Sequence, residues 1–318
     1  MSSTVSVLIP TFRRQDLLRG AIESCLNQDE FGRDRLEVVV VDNSPEASAE
    51  EVVAQVVRNA GAAAPRVIYL KEPKPGISHA RNAALQASSG DFIVFIDDDQ
   101  VASPGLLAAY AAAWRATGAD ALFGPVYAEA ENGEEAPGWI LRCHCRVSRT
   151  KDRSFIARRD AAWLGTSNSF FRRSTCFASG ETFDEELGEI GGEDSLLLRQ
   201  LLDQGRRFAW VDIAVVRERV SPERLRAGFI CWRKFRSGQI RTLTCLRVAP
   251  PRLFEAGAWV AIGAAQVVLY GLVTPAFYLA GRDRGDELWS RVFGGAGKIL
   301  WTKRFLFPAY GARAKLPR

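Results

Sequence analysis

Three consecutive carboxylates, Asp97, Asp98 and Asp99, end the apolar run Phe92 to Ile96. Like charges packed this closely repel one another unless a cation neutralises them. Hard divalent ions such as Mg2+ or Mn2+ suit the group, because they take few carboxylates and complete their shell with water and the phosphate oxygens of a substrate. A solvated turn is the competing reading. A second acidic pair, Glu193-Asp194, lies far along the chain, just ahead of the Leu-rich stretch Ser195 to Leu202. A carboxylate remote from the metal ligands can approach a reacting centre from another side, as a general base must. Acidic capping of a helix N-terminus is the alternative.

Asp42 closes the apolar run Leu36 to Val41 and is followed by Asn43, Ser44 and Pro45. It can accept a hydrogen bond from a nucleobase or ribose, or form the turn itself. The stretch Gly76-Ile77-Ser78-His79-Ala80-Arg81-Asn82 opens a helix, where free N–H groups and Arg81 suit an anionic ligand. Arg81 paired with one of the aspartates is the other possibility, and His79 is given no catalytic role.

These residues need elements to hold them on one edge. Strands are expected at Val5 to Ile9, Leu36 to Val41, Val67 to Leu70, Phe92 to Ile96 and Leu122 to Tyr127. Helices are expected at Leu17 to Leu26, Glu50 to Asn59, Ser78 to Ala87, Leu106 to Ala116 and Ser195 to Leu202. Glu129 to Gly138 reads as an acidic loop. The β–α alternation describes an α/β fold with an open, mostly parallel sheet, which binds ligands at the carboxyl ends of its strands. Thr11, Asp42 and the acidic triplet all fall there. No glycine-rich nicotinamide or P-loop signature follows the first strand.

With 318 residues, 47% of them hydrophobic, the chain can bury one large core or two modest ones. Its net charge of +5 is spread along the sequence and densest after Arg217, which suits anionic lipid or a pyrophosphate better than nucleic acid. The six cysteines include no C-x-x-C pair, so a reduced compartment is expected. Cys143-His144-Cys145, read as strand, would place both thiols on one face without an evident fourth ligand, and is taken as structural. Pro10 interrupts the first apolar run too early for a signal peptide, so the catalytic body is expected in the cytosol. Ala256 to Gly281 carries no charge and is long enough to cross a bilayer, with a re-entrant hairpin and a buried core helix as the alternatives. The following Trp289, Phe293, Trp301, Phe305 and Phe307, with Lys298, Lys303 and Arg304, suit an interfacial segment.

In order, VSVLIPTFRR, VVVVDNSPE, GISHARNAAL, FIVFIDDDQV, LGTSNSFFRR and GGEDSLLLRQLLDQG span about residues 4 to 205. Together they resemble the family 2 glycosyltransferases with the GT-A fold. The resemblance implies a nucleoside-diphosphate sugar donor, with Pro10, Thr11 and Arg13 lining the nucleotide pocket and Asp42 reading the base. Arg81, Asp97 and Asp98 would support the sugar-nucleotide, and Asp99 with Asp97 would hold Mg2+ or Mn2+. Gly165, Thr166 and Asn168 would shape the donor-sugar end, with Trp163 nearby. Asp194 would be the catalytic base of an inverting displacement, and Glu193 would place the acceptor. The Q-x-x-R-W motif of processive synthases is missing; Trp232 and Arg233 stand in the opposite order. The segment is instead similar to bacterial enzymes adding single sugars to lipid-linked exopolysaccharide intermediates, with Trp232, Arg233 and Arg236 toward the acceptor.

The implied layout is a catalytic domain at 1–220, a basic helical connector at 221–255 and a membrane-associated region at 256–318, at the cytoplasmic face of the bacterial inner membrane. Two rivals stand beside it. Asp97-x-Asp99-x-Val101 also fits a haloacid-dehalogenase-type phosphatase with Asp97 as nucleophile. The other rival is a membrane-bound nucleotide-sugar-binding protein without catalysis.

Overall fold

The computed structural model describes residues 3–28 and 36–309. Its elements run β1 (Val5–Thr11), α1 (Gln15–Leu26), β2 (Leu36–Asp42), α2 (Glu50–Ala60), β3 (Arg66–Lys71), α3 (Ile77–Ala87), β4 (Phe92–Phe95), β5 (Gln100–Ala102), α4 (Leu106–Thr117), β6 (Ala121–Phe123) and β7 (Val126–Ala130). Then follow α5 (Gly138–His144), β8 (Ser154–Phe155), β9 (Ser169–Arg172), α6 (Arg173–Cys176), α7 (Glu193–Asp203), β10 (Phe208–Trp210), β11 (Val216–Val220), α8 (Ala227–Arg247), α9 (Leu253–Leu279) and α10 (Arg282–Ile299).

β1 and β2 are buried along their whole length, as continuous apolar runs covered on both faces should be. They pair in parallel with Thr11 beside Asp42, and β4 joins the other side of β1. The large sheet has the order β3-β2-β1-β4-β9-β6-β10-β8. It is parallel from β3 to β4, and β9 is inserted antiparallel between β4 and β6. Side chains alternate across it. Val5, Val7 and Ile9 pack with Leu18, Ile22 and Tyr110 on one face, while Leu8, Val39 and Phe95 pack with Ala80, Leu197 and Leu201 on the other.

One expected strand is corrected. Leu122 to Tyr127 is two strands in two sheets, because the chain turns at Gly124-Pro125. A Cβ added to Gly124 would lie 2.0 Å from the Ala214 carbonyl oxygen, so only glycine fits the bend. The expected acidic loop is also shorter, since Glu129 and Ala130 finish β7 and Gly138 opens α5. β7 belongs to a small sheet ordered β5-β11-β7, in which β5 follows directly on Asp99. The Arg219 N–H donates to the Asp99 carbonyl at 2.8 Å, fastening β11 under the acidic triplet.

Beyond residue 226 the chain is helical as far as Ile299, and small residues let the backbones approach closely. A Cβ on Gly297 would stand 1.9 Å from the Phe235 carbonyl oxygen, and one on Gly263 2.6 Å from that of Gly295. The most apolar stretch of α9 has a mean hydropathy of 1.7 with only 11% of it buried, and the helix is long and apolar enough to cross a membrane. Phe254 is 92% and Leu272 75% exposed.

Candidate active site

At the end of β4 the three aspartates part company. Asp98 and Asp99 are buried, while the Asp97 side chain is 33% exposed. Thr11 Oγ1 donates to Asp98 Oδ2 at 2.8 Å. Arg14 Nη1 donates to Asp98 Oδ1 at 3.0 Å and to Asp99 Oδ2 at 2.9 Å. Arg224 reaches Asp99 Oδ2 at 3.0 Å and Glu218 Oε1 at 2.7 Å. Burial pushes the Asp98 carboxyl up to about 6 against the pull of Arg14. Burial likewise raises Asp97, with Arg81 opposing and Asp99 and Asp194 adding to the rise.

Among the described residues no three or more His, Cys, Asp or Glu side chains form a metal-holding group on their own. Asp97, a third exposed, and the second carboxylate oxygen of Asp99 nevertheless offer two hard oxygen donors, Asp99 Oδ2 being committed to Arg14 and Arg224. That is the number Mg2+ or Mn2+ takes from protein when phosphate oxygens complete its shell, and the donor set therefore fits such an ion.

The second acidic group arrives on α7, which starts after Gly192 at φ 101°. Arg81 joins it to the first: Nη1 donates to Glu193 Oε1 at 2.6 Å, and Nη2 lies 3.5 Å from Asp97 Oδ1. Of the two readings for Arg81, this contact is the pairing one. Glu193 Oε2 is buried without a hydrogen-bond partner among the described residues. Burial, reinforced by Asp194, pushes the Glu193 carboxyl up to about 7. Asp194 Oδ1 accepts from the Ser195 N–H at 2.6 Å, and Oδ2 faces Gly165, where an added Cβ would stand 2.9 Å away. One carboxylate oxygen is thus committed to the helix start and the other is turned toward the loop.

That loop is anchored from below. Asn168, at φ 45°, donates to the Pro125 and Ala214 carbonyls at 2.9 and 2.8 Å and accepts from the Tyr110 hydroxyl at 2.7 Å. Arg146 donates to the carbonyls of Gly124, Gly165 and Asn168. Thr166 Oγ1 is buried with no partner among the described residues, and Trp163 projects outward, 72% exposed.

Asp42 is fully buried. Its carboxylate accepts from Ser44 N at 2.8 Å, Ala49 N at 2.7 Å and the Tyr69 hydroxyl at 3.2 Å, which are the bonds of the turn-forming alternative. Pro10 and Thr11 are buried at the end of β1. Arg13, at φ 56°, pairs outward with Glu46; of the two adjacent arginines it is Arg14 that meets the acids. On α8, Arg236 donates to the Ile190 carbonyl at 2.6 Å and lies 4.6 Å from the Trp232 ring centroid.

Cys143 and His144 close a helix rather than a strand, and all six cysteines are free. Arg233 donates to His144 Nδ1 at 2.7 Å, which leaves Nε2 to donate to the Arg224 carbonyl at 3.2 Å. Burial, helped by Arg233 and Arg224, pushes this imidazole down to about 3. His144 is therefore neutral and positions Arg224. The sequence reading missed Arg14, Arg146, Glu218 and Arg224, and took His144 as structural without its partners. Only the alternation Val216-Arg217-Glu218-Arg219-Val220 signalled that a strand brings Glu218 inward.

Residues 6–175 match the model described as "Glycosyl transferase family 2", and residues 92–305 match "Glycosyl transferase family group 2". The succinoglycan biosynthesis protein ExoM of Rhizobium meliloti is 32% identical over 235 residues, covering 74% of this chain and 73% of that protein. GalNAc(5)-diNAcBac-PP-undecaprenol beta-1,3-glucosyltransferase of Campylobacter jejuni is 36% identical over 105 residues, 32% of each chain. Mannosyltransferase PcManGT of Pyrobaculum calidifontis, solved with GDP-Man and Mn2+, superposes over 95% of this chain and 88% of its own with a TM-score of 0.62. At 20% identity that likeness concerns the fold alone. The matches run through both acidic groups and leave no place for the phosphatase reading of Asp97. The open sheet, its two facing acidic groups and these matches converge: the chain belongs to the family 2 glycosyltransferases and is a transferase with the GT-A fold.

Proposed function

We propose that the enzyme moves a sugar from a nucleoside-diphosphate sugar to a hydroxyl of a glycan or lipid-linked saccharide, in cell-surface polysaccharide synthesis. The observation that carries this reading is Arg81, which bonds Glu193 and lies 3.5 Å from Asp97, so that one guanidinium brings the strand-end acids and the α7 acids together. Two relatives support the chemistry: one is named for succinoglycan synthesis, the other for an undecaprenol-linked acceptor. A structural neighbour binds GDP-Man with Mn2+.

In this reading Asp194 takes the proton of the acceptor hydroxyl, and the oxygen forms its bond to the anomeric carbon from behind. The bond to the diphosphate oxygen breaks in the same step, the leaving group takes the electron pair, and configuration inverts. Glu193, held by Arg81, places the acceptor. Asp97 and Asp99 would hold a divalent ion that supplies charge neutralisation to the departing diphosphate. Pro10, Thr11, Arg13 and Asp42 serve the nucleotide end, Asp42 by fixing the loop after β2. Gly165, Thr166 and Asn168 shape the sugar end. Trp232, Arg233 and Arg236 lie toward the acceptor.

Residues 1–220 carry catalysis, 221–255 connect, and 256–318 attach the enzyme to the cytoplasmic face of a bacterial inner membrane through the apolar surface of α9. A thermal-shift panel of UDP-, GDP- and dTDP-sugars, each with and without Mn2+, tests the donor assignment. One nucleotide class should raise the melting temperature, and more so with the ion. Stabilisation by none of them would sink the reading.

A further inference from the structure

Trp163 lies two residues ahead of Gly165, with 72% of its surface exposed. Large apolar surface left in water calls for an explanation. The indole is also braced: the Arg241 guanidinium carbon of α8 stands 3.9 Å from its ring centroid and 5.2 Å from that of Trp259 on α9. A cation held over an aromatic face fixes both groups.

This stack is wired to the catalytic acids on two sides. Gly165 faces Asp194 Oδ2 at the distance already given. Ile240, next to Arg241, packs on Gly192, where an added Cβ would meet its Cγ2 at 2.9 Å. The Trp163 indole and the guanidinium therefore lie between the loop that carries Gly165 and Trp259 of α9, next to the acidic head of α7.

A pyranose ring has a face of axial C–H groups with small positive charge, complementary to the negative face of an indole. A substrate carried on a lipid arrives from the side of α9. We propose that Trp163, braced by Arg241 and Trp259, is the platform on which a pyranose unit of the acceptor lies, its hydroxyl turned toward Asp194. The assignment rests on the transfer reading above and adds the place and chemistry of the acceptor.

The full chain is titrated with hexyl β-D-glucoside and hexyl β-D-galactoside, binding being followed by tryptophan fluorescence and by calorimetry. At least one glycoside should bind the wild type; Trp163→Phe should weaken it about threefold and Trp163→Ala at least tenfold. Affinity for the nucleoside diphosphate, measured on the same variants with UDP, GDP and dTDP, should move less than twofold. Equal glycoside binding by Trp163→Ala and wild type overturns the proposal, as does a wild type that binds neither glycoside, or a nucleotide affinity that falls by the same factor. Glycoside binding is read without donor, so a chain that binds no nucleotide defeats the transfer reading by a separate result.

Discussion

Around the acidic rim, Asp98, Asp99, Glu193 and Glu218 are taken out of water, each within reach of an arginine. On α9, by contrast, Phe254, Leu272 and Leu279 face outward. The two regions depart from ordinary burial in opposite senses. At the rim, position is set by long-range pairs, so removing one partner strands the other in a poor dielectric. In the helices, backbone contact at glycines sets position and the apolar surface contributes by area. Single substitutions should therefore act steeply at the rim and in graded steps on α9.

The largest effect is expected at the base. Asp194→Asn should lower kcat about 1000-fold, the scale of a lost general base, while calorimetric donor affinity stays within threefold. Asp99→Ala should instead weaken Mn2+-dependent donor binding; matching losses of donor affinity in both variants would erase the division of roles. Next in size, Gly297→Ala drives a methyl into the Phe235 carbonyl and should cost about 3 kcal/mol in urea unfolding, the upper range for overpacking. An unchanged midpoint would mean that the glycine contacts do not set the helix packing.

Graded behaviour is tested on the exposed face. Leu272→Glu should reduce cosedimentation with phosphatidylglycerol-containing vesicles about tenfold, corresponding to about 1.5 kcal/mol of lost apolar transfer. Equal pelleting of variant and wild type would take α9 off the membrane. The smallest effect concerns His144, whose imidazole goes from 6.5 when unfolded to about 3 when folded. As pH falls below 6.5 the unfolded chain binds the proton first, so this contribution is present above 6.5 and is lost toward 3. Between pH 7 and 5.5 wild type should lose about 1 kcal/mol more than His144→Gln. Parallel pH profiles would show that His144 is not held neutral.

The same contrast explains what the sequence disclosed. The first four strands and the acidic groups were legible because apolar runs end abruptly in Asp42 and Asp97 to Asp99, and a Leu-rich run begins just after Glu193-Asp194. The apolar length of α9 was equally plain. The arginines that neutralise the rim were not, because nothing local separates Arg14 from Arg13 or Arg224 from its neighbours; their partners are chosen by topology. The break at Gly124 was hidden for a similar reason: the Ala214 carbonyl that forbids a side chain there comes from a segment ninety residues on. Asp42 was legible as a polar strand end, while its three internal bonds appear only once α2 and β3 are in place.

Ile240 rests on Gly192, and α8 is itself clasped by α10 at Gly238 and Gly297. A side chain larger than hydrogen at Gly192 would have to push Ile240 away, so the seat of α8 on the head of α7 is held at the single residue in front of Glu193.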